Sequence, residues 1–377
     1  MKYNVEFSAA TYPLSHRLAL PAWHHIGTTA DTRRRTNHPR ARCLRRIHAV
    51  HKTEDLLTHA NQYESTDHQQ NSRTCTCPNC STARTQGCNN PDSCLRMAKL
   101  LLDQLEYRFD PRHINLPCNP PPEEALALMN EDEDWTIFDK TLETNGNISA
   151  NFRIFVNSIK PHLIQDTAGN QAAAIPTRGN HHNITLVYTD GSCDKNGKAD
   201  TRAGGGVWYG NDDPLNSAIR VSKDLPQTNN TGEMLAIYHA AKNAPSDTTL
   251  CIISDSKWAI QALTTNLAKN TDQGYIFSRN PDLIQATAAT LKARQGHTLL
   301  KWVKGHNGNI GNEGADRLAA EGAQKDEDEA DQLFAPTHLI PPGIKLEAAS
   351  QAVMYRALRV IKSPALNNRT KAYLELT

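Results

Sequence analysis

Apolar positions along the 377 residues are patterned most strongly between residues 184 and 324. Ile184 to Asp190 is an apolar, β-branched run, and Gly204 to Gly210 and Ala218 to Val221 predict two further short strands joined to it as a meander. Glu233 to Asn243 predicts a helix. Leu250 to Ser254 is continuously apolar, as a strand buried on both faces of a parallel sheet is, and Lys257 to Leu267 returns to helical spacing. In Pro281 to Gln295, Leu283, Ile284, Ala288 and Leu291 share one helical face; Thr298 to Lys304 predicts a strand, and a last helix starts near Asn312. The order βββαβααβα predicts an α/β domain over residues 184–324, with a mixed five-stranded sheet and flanking helices.

The rest of the chain has less period. Residues 1–70 mix His, Arg, Thr and Asn with few apolar positions and are expected to be basic and loosely ordered, with no assigned fold. Residues 71–118 are cysteine-rich, and from Asp92 the run Cys94, Met97, Ala98, Leu101, Leu102 and Leu105 has the three-and-four spacing of a helix that ends near Asp110-Pro111. Residues 119–183 read as an acidic and polar linker, entered through Pro117 to Pro122 and closed by the Ala, Gly, Pro and Asn of Ala168 to Asn183. Residues 325–377 read as a C-terminal tail, with a short helix near Leu346 to Val360.

Composition agrees with one firm domain and looser flanks. A hydrophobic content of 38% and a mean hydropathy of −0.60 are low for a chain packed from end to end. The net charge of +1 excludes a globally basic nucleic-acid binder, but it averages over blocks. Arginines crowd at Arg33, Arg34, Arg35, Arg40, Arg42, Arg45 and Arg46, either as solvated surface or as phosphate contacts, while Glu131 to Asp134 and Asp326 to Glu329 are acidic runs. Nine cysteines, an odd number, follow no basic-then-apolar secretory leader, so a reducing compartment is expected. No stretch reaches the roughly 18 apolar residues of a membrane span. The expectation is a soluble, intracellular, monomeric protein without membrane contact, in cytoplasm or nucleus.

Cys75, Cys77, Cys80, Cys88 and Cys94 crowd into a CxCxxC word and two further cysteines. In an intracellular protein such density favours zinc over disulfides, and Cys77, Cys80, Cys88 and Cys94 are the candidate tetrahedral set; free structural thiols are the alternative.

Four acids stand at positions where chemistry collects. Asp190 ends the first strand and Asp255 follows the fourth, and the ends of strands are where ligands gather in open α/β sheets. Glu233 is placed in the first turn of the intervening helix and Asp316 in the first turns of the last one. The words around them are YTDGSC at Tyr188 to Cys193, TNNTGE at Thr228 to Glu233, SDS at Ser254 to Ser256 and WVKGHNGNIGNEGAD at Trp302 to Asp316. In that order and spacing the chain resembles the ribonuclease H family of type 1, over Ile184 to Ala323.

The resemblance implies a ribonuclease H-like fold and a metal-dependent endonuclease that cuts the RNA strand of RNA/DNA hybrids. By it, Asp190, Glu233, Asp255 and Asp316 are the metal-binding carboxylates. Asp190 and Asp255 are core ligands, Glu233 lies near the ribose 2′-hydroxyl, and Asp316 serves a second ion. His306, in the Gly- and Asn-rich loop Gly305 to Asn312, is the mobile histidine beside them. Hard carboxylate oxygens suit Mg²⁺ or Mn²⁺, two ions to a site. Cys193, Thr228, Asn229 and Asn230 match positions that contact the two nucleic-acid backbones. Lys257 stands where many relatives have glutamine, which favours a phosphate contact, and no tryptophan- and lysine-rich basic handle lies between Leu267 and Pro281.

Gly204-Gly205-Gly206 lacks the lysine and the strand-to-helix setting of a phosphate-binding loop and is expected in a strand. Asp212-Asp213 reads as a turn. Leu20 to Gly27, with the cysteine cluster, is similar to segments that precede ribonuclease H domains in fungal retroelement polyproteins. A catalytically silent hybrid-binding module derived from such an element is therefore the alternative to an enzyme. Loss of activity normally replaces an acid, and all four are present.

Overall fold

The structure is a computed structural model and describes residues 6–7, 14–28, 37–106, 109–112, 127, 134–140, 152–167, 184–194, 201–305, 308–326 and 329–362. The chain divides into a helical unit, Ala9–Pro117 with Leu142–Asn151, and a sheet unit, Met1–Ser8, Cys118–Thr141 and Phe152–Thr377. Among the described residues no helix is long and apolar enough to cross a membrane.

The helical unit contains α1 (Leu14–Ala19), α2 (Pro39–Arg46), α3 (Thr53–Glu64), α4 (Pro78–Thr85) and α5 (Pro91–Leu102). Proline opens α2, α4 and α5, where its fixed φ suits a first turn and its missing N–H is no loss. The side chains of His38, Cys77 and Asn90 cap these three helices. Leu44, Leu56, Ala98 and Leu102 meet in a small core. Three of these helices, α1, α2 and α3, thus fall within residues 1–70, a stretch expected to be loosely ordered. Only Ala41 and Leu44 of the arginine-rich α2 are buried, too few positions to show a period. Arg45 does not simply face solvent: its guanidinium lies 4.7 Å from the Trp23 ring centroid. The helix expected from Asp92 is present, with Cys94, Met97, Ala98, Leu101 and Leu102 buried, but it stops at Leu102.

In the sheet unit the strands and helices run β1 (Glu6–Phe7), β2 (Trp135–Ile137), β3 (Phe152–Ile154), β4 (Ile164–Asp166), β5 (Ile184–Asp194), β6 (Arg202–Trp208), β7 (Ser217–Arg220), α6 (Asn229–Asn243), β8 (Thr249–Ser254), α7 (Lys257–Leu263), α8 (Leu267–Asp272), α9 (Pro281–Ala293), β9 (Thr298–Trp302), α10 (Ile310–Gln324), β10 (Leu333–Ala335), β11 (Ile344–Lys345) and α11 (Gln351–Lys362). The main sheet has the order β2-β9-β8-β5-β6-β7. β5, β6 and β7 form the antiparallel meander, and β8 and β9 extend it in parallel from β5. This is the mixed-sheet ribonuclease H-like α/β fold. Every residue of β8 is buried, as a central parallel strand requires.

Three features differ from the sequence expectation. The sheet has six strands, not five, because β2 pairs antiparallel with β9 through Trp135↔Lys301 and Ile137↔Leu299. It comes from the stretch read as linker, where three residues are too short to show alternation. The helix expected from Lys257 to Leu267 breaks after Leu263, so three helices rather than two lie between β8 and β9. The described part of the supposed tail, as far as Lys362, is built into the unit. β10 pairs with β4 and β11 with β3, while Val353 and Ala357 of α11 pack with Ile154, Phe155, Ile276 and Ile344. The Tyr238 hydroxyl donates to the Phe334 carbonyl at 2.9 Å and accepts from the Phe334 N–H at 2.8 Å, tying α6 to β10. Arg153 donates to the carbonyls of Pro342 and Gly343.

Candidate active site

The three glycines of β6 place the site. A side chain at Gly206 would fall on the Ala315 carbonyl and one at Gly204 on the backbone of Ala323, so α10 lies directly on the strand. That approach carries Asp316, in the second turn of α10, toward the sheet. On β5, a side chain at Gly191 would meet the backbone of Asn229 and Glu233, so the start of α6 also rests against backbone. The triple glycine is therefore a packing surface within a strand, as its context implied.

Asp190 lies within β5 rather than at its end, because the strand continues through Gly191 and Ser192 to Asp194 opposite the glycines of β6. Asp255 follows the last residue of β8. Glu233 sits in the second turn of α6, one turn later than expected; Thr228 is the N-cap and its hydroxyl accepts from the Thr231 N–H at 3.2 Å. One carboxylate oxygen from each of Asp190, Glu233 and Asp255 lies within 4.8 Å of the others. Asp316 stands outside that trio but near enough for its charge to bear on Asp190.

Buried neighbours hold these acids. Ser256 donates its hydroxyl to Glu233 Oε2 while accepting from the Ala259 N–H as the N-cap of α7. Asn312, 3% exposed, points its amide nitrogen at Asp255 Oδ2 at 3.4 Å. The Gly191 N–H donates to Asp190 Oδ1 at 2.7 Å, and Trp302 Nε1 donates to the Asp255 carbonyl at 2.9 Å. The words SDS, WVKG and GNEGAD contained Ser256, Trp302 and Asn312, but only the fold gives them a task.

Burial, and after it the charge of Asp255, raises the Asp190 carboxyl from its ordinary 3.8 to about 8, with Asp316 and Glu233 adding to the effect. Glu233 is also raised, by burial and then by Asp255, against the Ser256 hydrogen bond that lowers it. Like charges are thus held together at a cost that a divalent cation would relieve. The all-oxygen donor set of Asp190, Glu233 and Asp255 fits a hard ion.

The expected substrate contacts surround the start of α6. Cys193 Sγ is 3.4 Å from the Gln227 carbonyl, Thr228 caps the helix, Asn229 is exposed and Asn230 half-buried in its first turn. Lys257 is exposed at the start of α7, its Nζ 4.0 Å from the Trp302 ring centroid. His306 lies outside the described residues.

In the helical unit the expected quartet of Cys77, Cys80, Cys88 and Cys94 is divided. Cys77 and Cys80 gather with His68 and Cys75, whereas Cys88 and Cys94 gather with Cys43 and His48. Each half is completed from upstream, so counting cysteines within one dense stretch missed Cys43 and both histidines.

The RNase H family profile matches residues 182–324. Ribonuclease H of Schizosaccharomyces pombe is 40% identical over 145 residues, covering 37% of this chain and 53% of that protein. Ribonuclease H1 of Homo sapiens is 38% identical over 153 residues, covering 38% and 52%. The chain thus spans about half the length of these two relatives. Ribonuclease H of Rickettsia canadensis is 34% identical over 152 residues, covering 37% of this chain and 88% of that protein. With its mixed sheet and gathered carboxylates, and with most of the rickettsial relative's length matched, the chain belongs to the ribonuclease H family.

Proposed function

We propose that the chain is a metal-dependent endoribonuclease that hydrolyses the RNA strand of RNA/DNA hybrids, leaving 5′-phosphate and 3′-hydroxyl ends. The observation that carries this reading is the convergence of Asp190, Glu233 and Asp255 from three separate elements, with Asp316 beside them. Asp190, Glu233 and Asp255 would hold divalent ions there, Mg²⁺ or Mn²⁺, which would supply an activated water and stabilise charge on the reacting phosphate and the leaving 3′ oxygen.

The chain's own residues hold that arrangement. Ser256 fixes Glu233 and Asn312 fixes Asp255, so the donors are set before substrate arrives. His306, placed by the sequence in the glycine-rich loop after β9, moves a proton or eases product release. Cys193, Thr228, Asn229 and Asn230 line the two backbones of the hybrid, where short polar groups can touch 2′-hydroxyls on one strand and tolerate deoxyribose on the other. Lys257, held over Trp302, contacts a phosphate.

The test is incubation of the purified chain, in Mg²⁺, with labelled RNA/DNA hybrid, duplex DNA, duplex RNA and single-stranded RNA. Cleavage of the RNA strand in the hybrid alone is expected. Binding of the hybrid without cleavage would overturn the reading and leave a silent binding module.

A further inference from the structure

The helical unit holds two groups of four metal-ligating side chains, and in each group the ligand atoms lie within 4.8 Å of one another. We infer that these are two Cys₃His zinc sites, nested in sequence. An inner site of His68, Cys75, Cys77 and Cys80 closes within the span of an outer one of Cys43, His48, Cys88 and Cys94.

The inner group is the more completely drawn. His68 Nδ1 is 3.5 Å from Cys75 Sγ, 3.7 Å from Cys77 Sγ and 3.5 Å from Cys80 Sγ. An imidazole nitrogen has one in-plane lone pair or one N–H, so it can hydrogen-bond one sulfur well but not three. A single ion on that lone pair accounts for all three contacts. With Zn–S near 2.3 Å and Zn–N near 2.0 Å, a tetrahedron has S···N edges of about 3.5 Å and S···S edges of about 3.8 Å.

The other face of His68 supplies an independent sign. Its Nε2 is 3.2 Å from Asp92 Oδ1, and this carboxylate, 5% exposed, also accepts from the Asn71 N–H at 2.8 Å. A proton on Nε2, donated to Asp92, leaves Nδ1 bare and aimed at the sulfurs. That is how a carboxylate orients a metal-binding histidine. Backbone N–H groups of Gln69 and Cys80 donate to the sulfurs of Cys75 and Cys77 at 3.4 and 3.5 Å, contacts suited to thiolates. Arg84 anchors the same loop through the carbonyls of Cys75 and Arg73.

In the outer group Cys43 Sγ is 3.6 Å and Cys94 Sγ 3.7 Å from Cys88 Sγ. These are tetrahedral edges, far from the roughly 2.0 Å of a disulfide. His48 Nε2 is buried without a hydrogen-bond partner among the described residues. Cys43 belongs to α2, Cys94 to the first turn of α5, and Cys88 to the loop between α4 and α5, so one ion would tie three segments together. The start of α5 serves both sites, Asp92 behind the inner and Cys94 in the outer. For a small unit with a modest core, such ions act as staples.

The test uses the full chain, purified with zinc supplied and excess Mg²⁺ present to keep the carboxylate site out of the count. Native mass spectrometry and elemental analysis should find two zinc ions per chain, and X-ray absorption should find three sulfurs and one nitrogen around zinc. Cys80→Ser should leave one ion. Asp92→Asn keeps all eight ligands and should weaken one zinc by roughly 10–100-fold in competition with a chelator, so the assignment stays testable even if Cys80→Ser does not fold. Fewer than two zinc ions in the wild-type chain, a sulfur-poor shell, or Asp92→Asn with both affinities unchanged would overturn the assignment.

Discussion

Asp190, Glu233, Asp255 and Asp316 come from four different elements, and only a completed sheet with two helices resting on its glycines brings them together. The eight candidate metal ligands of the helical unit instead sit on short helices and loops between Cys43 and Cys94, around a small core. In the sheet unit the fold gathers donors against the cost of burying them and against their mutual repulsion, which in that order raise the Asp190 carboxyl. There a divalent ion would be a guest that relieves that cost. In the helical unit the ligands stand beside a core of about their own number, and the proposed ions would belong to the fold itself. Hard oxygens suit exchangeable Mg²⁺ or Mn²⁺, and thiolates suit retained zinc.

Withdrawing each ion should break this comparison most strongly. Structural zinc contributes on the order of 10 kcal/mol to small metal-held domains. A zinc-selective chelator is therefore expected to remove much of the far-ultraviolet helical signal contributed by α2 to α5, whereas withdrawing Mg²⁺ should leave that signal unchanged. Equal responses to both withdrawals would erase the distinction.

A second expected effect reaches the sheet unit alone. Gly206→Val places carbon on the Ala315 carbonyl and should push α10 from β6. The expected cost is about 2–3 kcal/mol in a denaturant melt, with the zinc count unchanged. A neutral melt would show that α10 is not seated by that contact.

These two regions were unequally legible. The meander, the buried strand and the carboxylates could be read because long strands show their period and because the acids stand in specific words. β2, β3, β4, β10 and β11 could not, since strands of two or three residues have no period to read. The cysteine density pointed to metal chemistry, but the division into two groups depends on His68, His48 and Cys43, which only folding brings back to the later cysteines. Ser256 and Asn312 were invisible as supports because serine and asparagine are ordinary capping residues until their neighbours are known.

The pH response sharpens the account of the carboxylates. Asp190 has its folded value raised from 3.8 to about 8. The folded state therefore binds the extra proton, and this group's stabilising contribution is full below about pH 4 and is lost as pH rises through about 8. Without divalent ions, the melting temperature of the sheet unit should fall across that window. Asp190→Asn should flatten the fall and raise the metal-free melting temperature at neutral pH, and Mg²⁺ should protect wild type more at pH 8 than at pH 5. A metal-free profile unaffected by the substitution would contradict the crowding of charge.

The smallest expected effect tests the grip on substrate. Lys257→Ala should weaken hybrid binding by about 1 kcal/mol and reduce the slope of log affinity against log salt by about 1, the signature of one lost phosphate contact. An unchanged salt slope would assign Lys257 to Trp302 alone.

The central claim, that the gathered carboxylates perform the cleavage, is tested most directly by the turnover of a labelled RNA/DNA hybrid by Asp255→Asn in Mg²⁺, beside wild type and with folding checked by its melt. Loss of a metal ligand should remove several kcal/mol of transition-state stabilisation, a fall of about 10³-fold or more in a folded protein. Turnover within tenfold of wild type would contradict the account.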